Sequence, residues 1–130
     1  MSRAIIMNID EAPWKSGPRR DQNGRPWGSR FIGDAKTGPW ININSLEPDK
    51  VVPPHSHTED EVIYIVEGDF TVGDRVCGPG TIVYMEKGTE YGFTVGKKGV
   101  RFLNIRNGLA QFQMGGKTID PTTVITTKGS

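Results

Sequence analysis

Short apolar stretches closed by turn-forming residues recur along the chain. In one of them Ile41 and Ile43 alternate with Asn42 and Asn44, which is the period of a half-buried strand. The predicted strands span residues 40–46, 61–67, 81–85, 91–95, 100–106, 109–114 and 122–127. Turns rich in Gly, Pro, Asn and Asp are predicted between them at 47–49, 67–69, 73–74, 78–80, 87–88, 96–99 and 107–108. The 17 glycines and 9 prolines would interrupt any helix, so the pattern predicts an all-β domain, either a sandwich or a barrel.

Composition and charge exclude several classes of function. The chain has 130 residues, which suits one domain, and its formal net charge is only +1. This balance argues against a nucleic-acid partner and against a membrane partner. The longest apolar run, residues 62–66, is too short to span a bilayer. Cys77 is the only cysteine, so no intrachain disulfide can form, and the cytoplasm is the simplest location.

The two histidines of the chain stand two residues apart, as His55 and His57. The period of a strand places both imidazoles on one face, where they can reach a single ion. Glu61 follows four residues later, at the head of the next apolar stretch, and would complete a site of two histidines and one carboxylate. The alternative is a polar loop whose histidines face water, or a pair held by hydrogen bonds in the core. The coincidence of three potential ligands with the start of a strand favours a metal site.

His55 and His57, followed by Glu61 and then by Gly68, resemble the first motif of the cupin superfamily. Members of that family are small jelly-roll barrels, also called double-stranded β-helices, that hold a metal ion in their lumen. The resemblance implies that His55, His57 and Glu61 bind a divalent ion, with Fe(II) favoured and Zn, Mn or Ni as alternatives. One departure is Asp49, which stands six residues before His55 where glycine is usual.

The second cupin motif is degenerate in this chain. Gly80 and Gly88 are in register with it, but Glu86 stands where proline is usual and Val95 where asparagine is usual. Tyr91 occupies the place of the third histidine, which is commonly a fourth metal ligand. The departures leave the first motif as the stronger part of the resemblance.

The resemblance covers roughly residues 31–113, which we take as the barrel core. Residues 1–30 are then an N-terminal arm, and residues 114–130 are a last strand with a frayed tail. The arm is either a loosely packed strand or a segment in which Trp14 or Trp27 covers the mouth of a pocket or docks on a second subunit. The sequence does not separate these alternatives.

Three roles are open for Tyr91. A phenol with an ordinary pKa near 10 is a poor ligand unless a strongly acidic metal or a neighbouring cation deprotonates it. The residue therefore binds the metal, hydrogen-bonds to substrate or metal-bound water, or simply lines the barrel. We expect the second role, which makes Tyr91 a catalytic and substrate-binding residue.

The period of the strand at 61–67 places Ile63 on the same face as Glu61, so Ile63 is predicted to line an apolar pocket wall beside the metal. Tyr64 then points to the opposite face, where packing is its expected role.

Three polar sets alternate along other predicted strands: Asn42 with Asn44, Asn104 with Arg106, and Gln111 with Gln113. Such a set usually lies on the solvated side of a strand, so outward is the default expectation. If the second set faces inward, Arg106 would bind a carboxylate or enolate of the substrate through its fork of donors.

Three functions from different classes remain. The first is an Fe(II)-dependent dioxygenase in which His55, His57 and Glu61 bind the ion and Tyr91 positions substrate or water. The second is a non-oxidative isomerase, lyase or cyclase in which Zn, Mn or Ni is the Lewis acid and Tyr91 or Glu61 moves protons. The third is a non-catalytic cupin that binds a metabolite. All three imply a small-molecule partner, and a homodimer is expected because the edge strands need covering.

Overall fold

The computed structural model describes residues 4–33 and 39–107, together with the backbone of two further short strands. A 3-10 turn at Ile9–Glu11 precedes the first strand. The strands are β1 (Arg19–Arg20), β2 (Pro26–Ile32), β3 (Trp40–Leu46), β4 (Val51–His57), β5 (Glu61–Val72), β6 (Arg75–Cys77), β7 (Ile82–Met85), β8 (Tyr91–Arg106), β9 (Phe112–Met114) and β10 (Lys117–Ile119). These residues contain no helix long and apolar enough to cross a membrane.

Strand β8 is the centre of the topology, and every pair of described strands is antiparallel. Its second half lies between β3 and β5, and its first half pairs with β4 and with the far end of β5. Strands β2 and β1 extend the sheet beyond β3, and β6 and β7 pair with β5. The two long strands, β5 and β8, curve together, and each takes part in both sides of the barrel. The sheet therefore closes into a jelly-roll barrel, a double-stranded β-helix. The predicted all-β fold class is confirmed.

Alternation along β5 decides which of its side chains enter the barrel. Ile63 and Ile65 are fully buried, whereas Tyr64 between them is 41% exposed. The core continues through Phe70, whose ring centroid lies 4.4 Å from that of Phe93. The predicted inward direction of Ile63 and outward direction of Tyr64 are both correct.

Two of the predicted turns, 67–69 and 96–99, are wrong. Both β5 and β8 run through these positions without a break, and Gly68 pairs with Val100. Gly68 has a φ of 73°, and a Cβ there would collide with the carbonyl oxygen of Gly99. The pairing changes register on either side of Gly68, so the two strands bend together through a bulge instead of ending.

Asp49 occupies the turn between β3 and β4 in a left-handed conformation, with a φ of 64°. Among residues with a side chain, Asp is one of the few that adopt this region readily. Its backbone N–H donates to the carbonyl of Gly96 at 3.2 Å, and its carboxylate lies 3.0 Å from Lys97 Nζ. The bend for which cupins usually have glycine is therefore kept with aspartate.

The N-terminal residues pack along the barrel sheet. Trp27 is buried on β2, which pairs in register with β3, so the boundary predicted at residue 30 falls inside a barrel strand. The Arg30 guanidinium lies 3.9 Å from the ring centroid of Trp14, and Arg101 binds Asp10 at 2.7 Å. The strand predicted at 122–127 and the side chains of residues 111 and 113 lie outside the described part of the chain.

Candidate functional site

The two histidines lie on β4, where Pro53 and Pro54 precede them and the pairing with β8 is irregular. Proline cannot donate to the sheet, so it is tolerated at such a bulge. Beyond it, the two-residue period turns both His55 and His57 inward, and both are buried. Their ring centroids are 5.1 Å apart with the rings edge to face. The pair therefore converges on one region of the barrel interior, as the spacing predicted.

The protonation of His55 is set by its neighbour Pro53. Nδ1 of His55 lies 2.9 Å from the carbonyl oxygen of Pro53. A carbonyl only accepts, so Nδ1 carries the proton and Nε2 carries the lone pair in the neutral ring. Burial lowers the pKa of His55 below its ordinary value, although the Pro53 hydrogen bond and the charge of Glu61 act in the opposite direction. A neutral imidazole is the form that binds a metal ion.

Glu61 opens β5 and is 1% exposed. One carboxylate oxygen, Oε1, accepts a hydrogen bond from the Tyr91 hydroxyl at 2.5 Å. The other, Oε2, accepts from Asn104 Nδ2 at 3.0 Å and from Arg106 Nε at 3.2 Å. Burial alone would raise the pKa of Glu61, but the charges of His57 and Arg106 and the two neutral donors outweigh it, so the pKa lies below its ordinary value. Glu61 is therefore an ionised carboxylate held on three sides.

Tyr91 opens β8 and pairs with His55 across the sheet. Its ring centroid lies 4.7 Å from that of His55. Burial first, and then the charge of Glu61 and the hydrogen bond to it, raise the pKa of Tyr91 well above 10. The phenol is therefore a neutral donor to Glu61 in this structure.

A cavity of about 130 Å³ opens against these side chains. Its wall is made by residues of β2, β3, β4 and β8, by Lys50 of the turn between β3 and β4, and by Lys15 of the N-terminal segment. The lining residues are Lys15, Ser29, Phe31, Trp40, Asn42, Asn44, Leu46, Lys50, Val52, His55, His57, Tyr91, Phe93, Phe102, Asn104 and Arg106. This volume suits a small molecule, since a cavity of about 10–15 Å³ on the same measure already holds one water.

The structure brings most of the predicted site residues together. His55, His57, Tyr91 and Arg106 line the cavity, and Glu61 lies directly behind the wall, bonded to Tyr91 and Arg106. Ile63 does not join them, because it is packed in the hydrophobic core and does not line this cavity.

The default expectation that the asparagine and arginine sets face water is wrong for the two sets that the structure describes. Asn104 and Arg106 are buried at 5% and 7% exposure, and Asn42 and Asn44 line the cavity. For Asn104 and Arg106 the physical reason is the buried Glu61 carboxylate, to which both donate hydrogen bonds inside the barrel.

One signal in the sequence could have found the inward direction. Trp40 shares the face of Asn42, and Phe102 shares the face of Asn104, and large aromatic residues favour the buried side of a strand. For Lys15 and Lys50, which also line the cavity, no comparable signal is present in the sequence.

The donor set fits a divalent metal ion in kind, because two imidazoles and a carboxylate are a recurring combination of ligands. A carboxylate offers about four acceptor positions, and three protein donors use three of those of Glu61. Its Oε2 lies 3.7 Å from His57 Nε2. No group of three or more His, Cys, Asp or Glu side chains within 4–33 and 39–107 is already arranged to hold an ion. A metal bound here would share Glu61 with Arg106.

Comparison with solved structures identifies several similar folds. The polyketide cyclase RemF from Streptomyces resistomycificus is 19% identical, with a TM-score of 0.67, and the match covers 92% of this chain and 91% of that one. A candidate acetylacetone dioxygenase from Methylibium petroleiphilum PM1 is 14% identical, with a TM-score of 0.68 and coverage of 92% and 88%. An RmlC-like cupin protein from Ralstonia eutropha JMP134 is 19% identical, with a TM-score of 0.59 and coverage of 87% and 80%. At these identities the likeness establishes the fold alone.

No curated protein matches the sequence at a significant level. Residues 2–109, however, match the family described as the ChrR Cupin-like domain. That match spans most of the chain and includes both histidines, Glu61, Tyr91 and Arg106. The barrel topology and the match together show that the chain belongs to the ChrR Cupin-like domain family, within the cupin superfamily.

Proposed function

We propose that this protein is a metal-dependent enzyme that acts on a small organic metabolite bound in the barrel cavity. The observation that carries the proposal is that His55 and His57 line this cavity and that Glu61, directly behind its wall, has its Oε2 3.7 Å from His57 Nε2. Bound by these three residues, a divalent ion would supply a Lewis acid that polarises a substrate oxygen.

The protein's own residues supply the rest of the site. The Pro53 carbonyl orients the His55 ring by accepting from Nδ1, which directs Nε2 away from the strand. Asn104 and Arg106 hold Glu61 in place through Oε2. Phe31, Trp40 and other aromatic side chains of the lining exclude water from the bound molecule.

The more specific proposal is an Fe(II)-dependent dioxygenase. Two histidines and one carboxylate are the ligand set of non-haem Fe(II) oxygenases. The candidate acetylacetone dioxygenase among the similar structures agrees with this assignment, although it shares only the fold with this chain.

A second candidate, a non-oxidative isomerase, lyase or cyclase using Zn, Mn or Ni, is favoured by the pair formed by Tyr91 and Glu61. Their 2.5 Å hydrogen bond joins a neutral acid to an ionised base, which is an arrangement suited to moving a proton. In this mechanism the Tyr91 hydroxyl would pass its proton to Glu61 while it takes one from the substrate, and the reverse transfer would return a proton to the product. A polyketide cyclase among the similar folds is in keeping with it.

The experiment that separates the candidates is metal analysis of the purified protein, followed by oxygen-uptake measurements with a series of 1,3-diketones and phenols. Iron together with substrate-dependent uptake supports the dioxygenase. Zn, Mn or Ni with substrate conversion under nitrogen supports the non-oxidative enzyme. A protein that retains no metal and converts no substrate, yet binds members of the series, would overturn the enzyme proposal in favour of a metabolite-binding cupin.

We also propose that the protein is a cytoplasmic homodimer that has neither nucleic acid nor membrane as a partner. The cytoplasmic location rests on the single cysteine, Cys77, whose side chain is buried. The dimer rests on β7, which pairs only with β5 among the described strands and carries exposed Ile82 and Tyr84.

A further inference from the structure

The charged residues that line the cavity all have the same sign. Among the described residues of the wall, Lys15, Lys50 and Arg106 are cationic, and none is an aspartate or glutamate. Glu61 lies behind the wall and is bonded to Arg106, so it offsets one of these three charges. An excess of one sign in a cleft with apolar walls concentrates ligands of the opposite charge.

Lys50 has a carboxylate nearby, but that carboxylate is shared. Lys50 Nζ lies 4.0 Å from Glu47 Oε1, at the limit of an ion pair. Glu47 also accepts two hydrogen bonds from Arg19, at 2.8 and 2.9 Å. The Lys50 side chain is only 10% exposed, so its charge acts through protein more than through water.

Two amide oxygens of the cavity wall indicate a second property of the ligand, a hydrogen-bond donor. Asn42 on β3 and Asn104 on β8 are direct partners across the sheet, and both line the cavity. The Oδ1 atoms of both are buried and accept no hydrogen bond in this structure. A buried acceptor without a donor costs free energy, so a ligand that brings an O–H or N–H to this point is favoured.

We propose that the cavity binds a small organic anion, a carboxylate or an enolate, that also carries a hydroxyl or N–H donor. The anionic group is attracted by Lys50, Lys15 and Arg106, and the donor group binds the Asn42 and Asn104 oxygens. The flat aromatic residues of the wall, Trp40 and Phe102 among them, pack against the unsaturated body of the ligand. This inference names the substrate class of the proposed enzyme and so rests on the proposed function.

The test compares matched probes in isothermal titration calorimetry on the protein as purified, with its metal content measured first. The probes are 4-hydroxybenzoate, benzoate, which lacks the hydroxyl donor, and 4-hydroxybenzamide, which lacks the charge. We expect 4-hydroxybenzoate to bind roughly tenfold or more tighter than either probe. Against the amide, the gain is that of a hydrogen bond to a charged group; against benzoate, it is that of giving a donor to a buried, unsatisfied acceptor. Equal affinities for the acid and the amide, or no detectable binding of either carboxylate, would overturn the proposal.

Two variants test whether the preference for an anionic probe comes from the cavity wall. Lys50→Met is expected to weaken the binding of 4-hydroxybenzoate roughly tenfold and to leave the affinity for 4-hydroxybenzamide unchanged. Lys98→Met removes the same charge from an exposed position outside the cavity and should change neither affinity. An equal loss in both variants would contradict a specific role for the cavity lysine.

The wild-type protein gives an independent readout should Lys50→Met fail to fold. Raising the ionic strength from about 0.01 M to about 0.15 M shortens the Debye length from about 30 Å to about 8 Å. This change should weaken the binding of the two carboxylates and leave the binding of the amide unaffected. An identical salt dependence of the affinities for acid and amide would count against the proposal.

Removal of metal with a chelator separates this inference from the proposed function. If the preference for the acid survives chelation and still depends on Lys50, the anion site stands whether or not the protein is a metalloenzyme. If chelation abolishes the preference and Lys50→Met has no effect, the anion binds through the metal, so the enzyme proposal stands and the present inference fails.

Discussion

The ion pair between Glu61 and Arg106 gives the sharpest prediction, because both side chains are almost wholly buried, at 1% and 6% exposure. Arg106→Met keeps an apolar stem of similar length but removes the guanidinium that lies 3.2 Å from Glu61 Oε2. Breaking a buried pair by deleting one partner costs about 3–5 kcal/mol, since the remaining charge is left in the interior. Tyr91 and Asn104 still donate to Glu61, so we expect the lower part of that range, about 3 kcal/mol.

The loss should depend on pH in a defined direction. In the wild-type protein the folded-state pKa of Glu61 lies below its ordinary value of 4.5, with Arg106 among the causes. A depressed carboxyl pKa contributes stability that is present above the unfolded pKa and is lost as the pH falls through the folded pKa. Without Arg106 the pKa rises and this contribution shrinks. The difference between variant and wild type should therefore be largest above about pH 5 and should narrow in acid.

The measurement is urea denaturation followed by tryptophan fluorescence at neutral and acidic pH. Arg75→Met is the matched control, because Arg75 is exposed on β6, and its free energy of unfolding should stay within about 0.5 kcal/mol of wild type. A loss below about 1 kcal/mol for Arg106→Met, or a loss that does not change with pH, would refute the reasoning.

Three further predictions concern the metal, the tyrosine and the oligomer. His57→Ala should abolish binding of about one divalent ion per chain, whereas equal occupancy in mutant and wild type, by metal analysis, would disprove the assigned ligands. Tyr91→Phe should keep the ion and lose roughly 10- to 1,000-fold in turnover with whichever substrate is found, because it removes the proton donor; an unchanged rate would refute its catalytic role. Light scattering should give the mass of two chains, and Tyr84→Lys on the exposed face of β7 should shift it toward one; a monomeric wild type would contradict the homodimer.

The strand period, which is a local property of the backbone, allowed several features to be predicted from the sequence. Residues two apart on a strand point the same way whatever surrounds them, so the common direction of His55 and His57 was predictable. The same rule separated Tyr64 from Ile63 on β5, and the density of turn residues predicted an all-β fold. The cupin motif was recognisable for the same reason, because its ligands lie within seven consecutive residues.

Only the tertiary structure decided which face of the other strands is the inner one. Alternation says that Asn104 and Arg106 share a side, but whether that side meets water depends on Glu61, which is 43 and 45 residues away in the chain. Likewise, glycine at position 68 indicates a bend, but pairing with β8 decides that the strand continues through it. A buried charge such as that of Glu61 is tolerated only next to groups that donate hydrogen bonds to it or carry the opposite charge. The closure of the barrel brings these groups together, so their positions do not follow from spacing in the sequence.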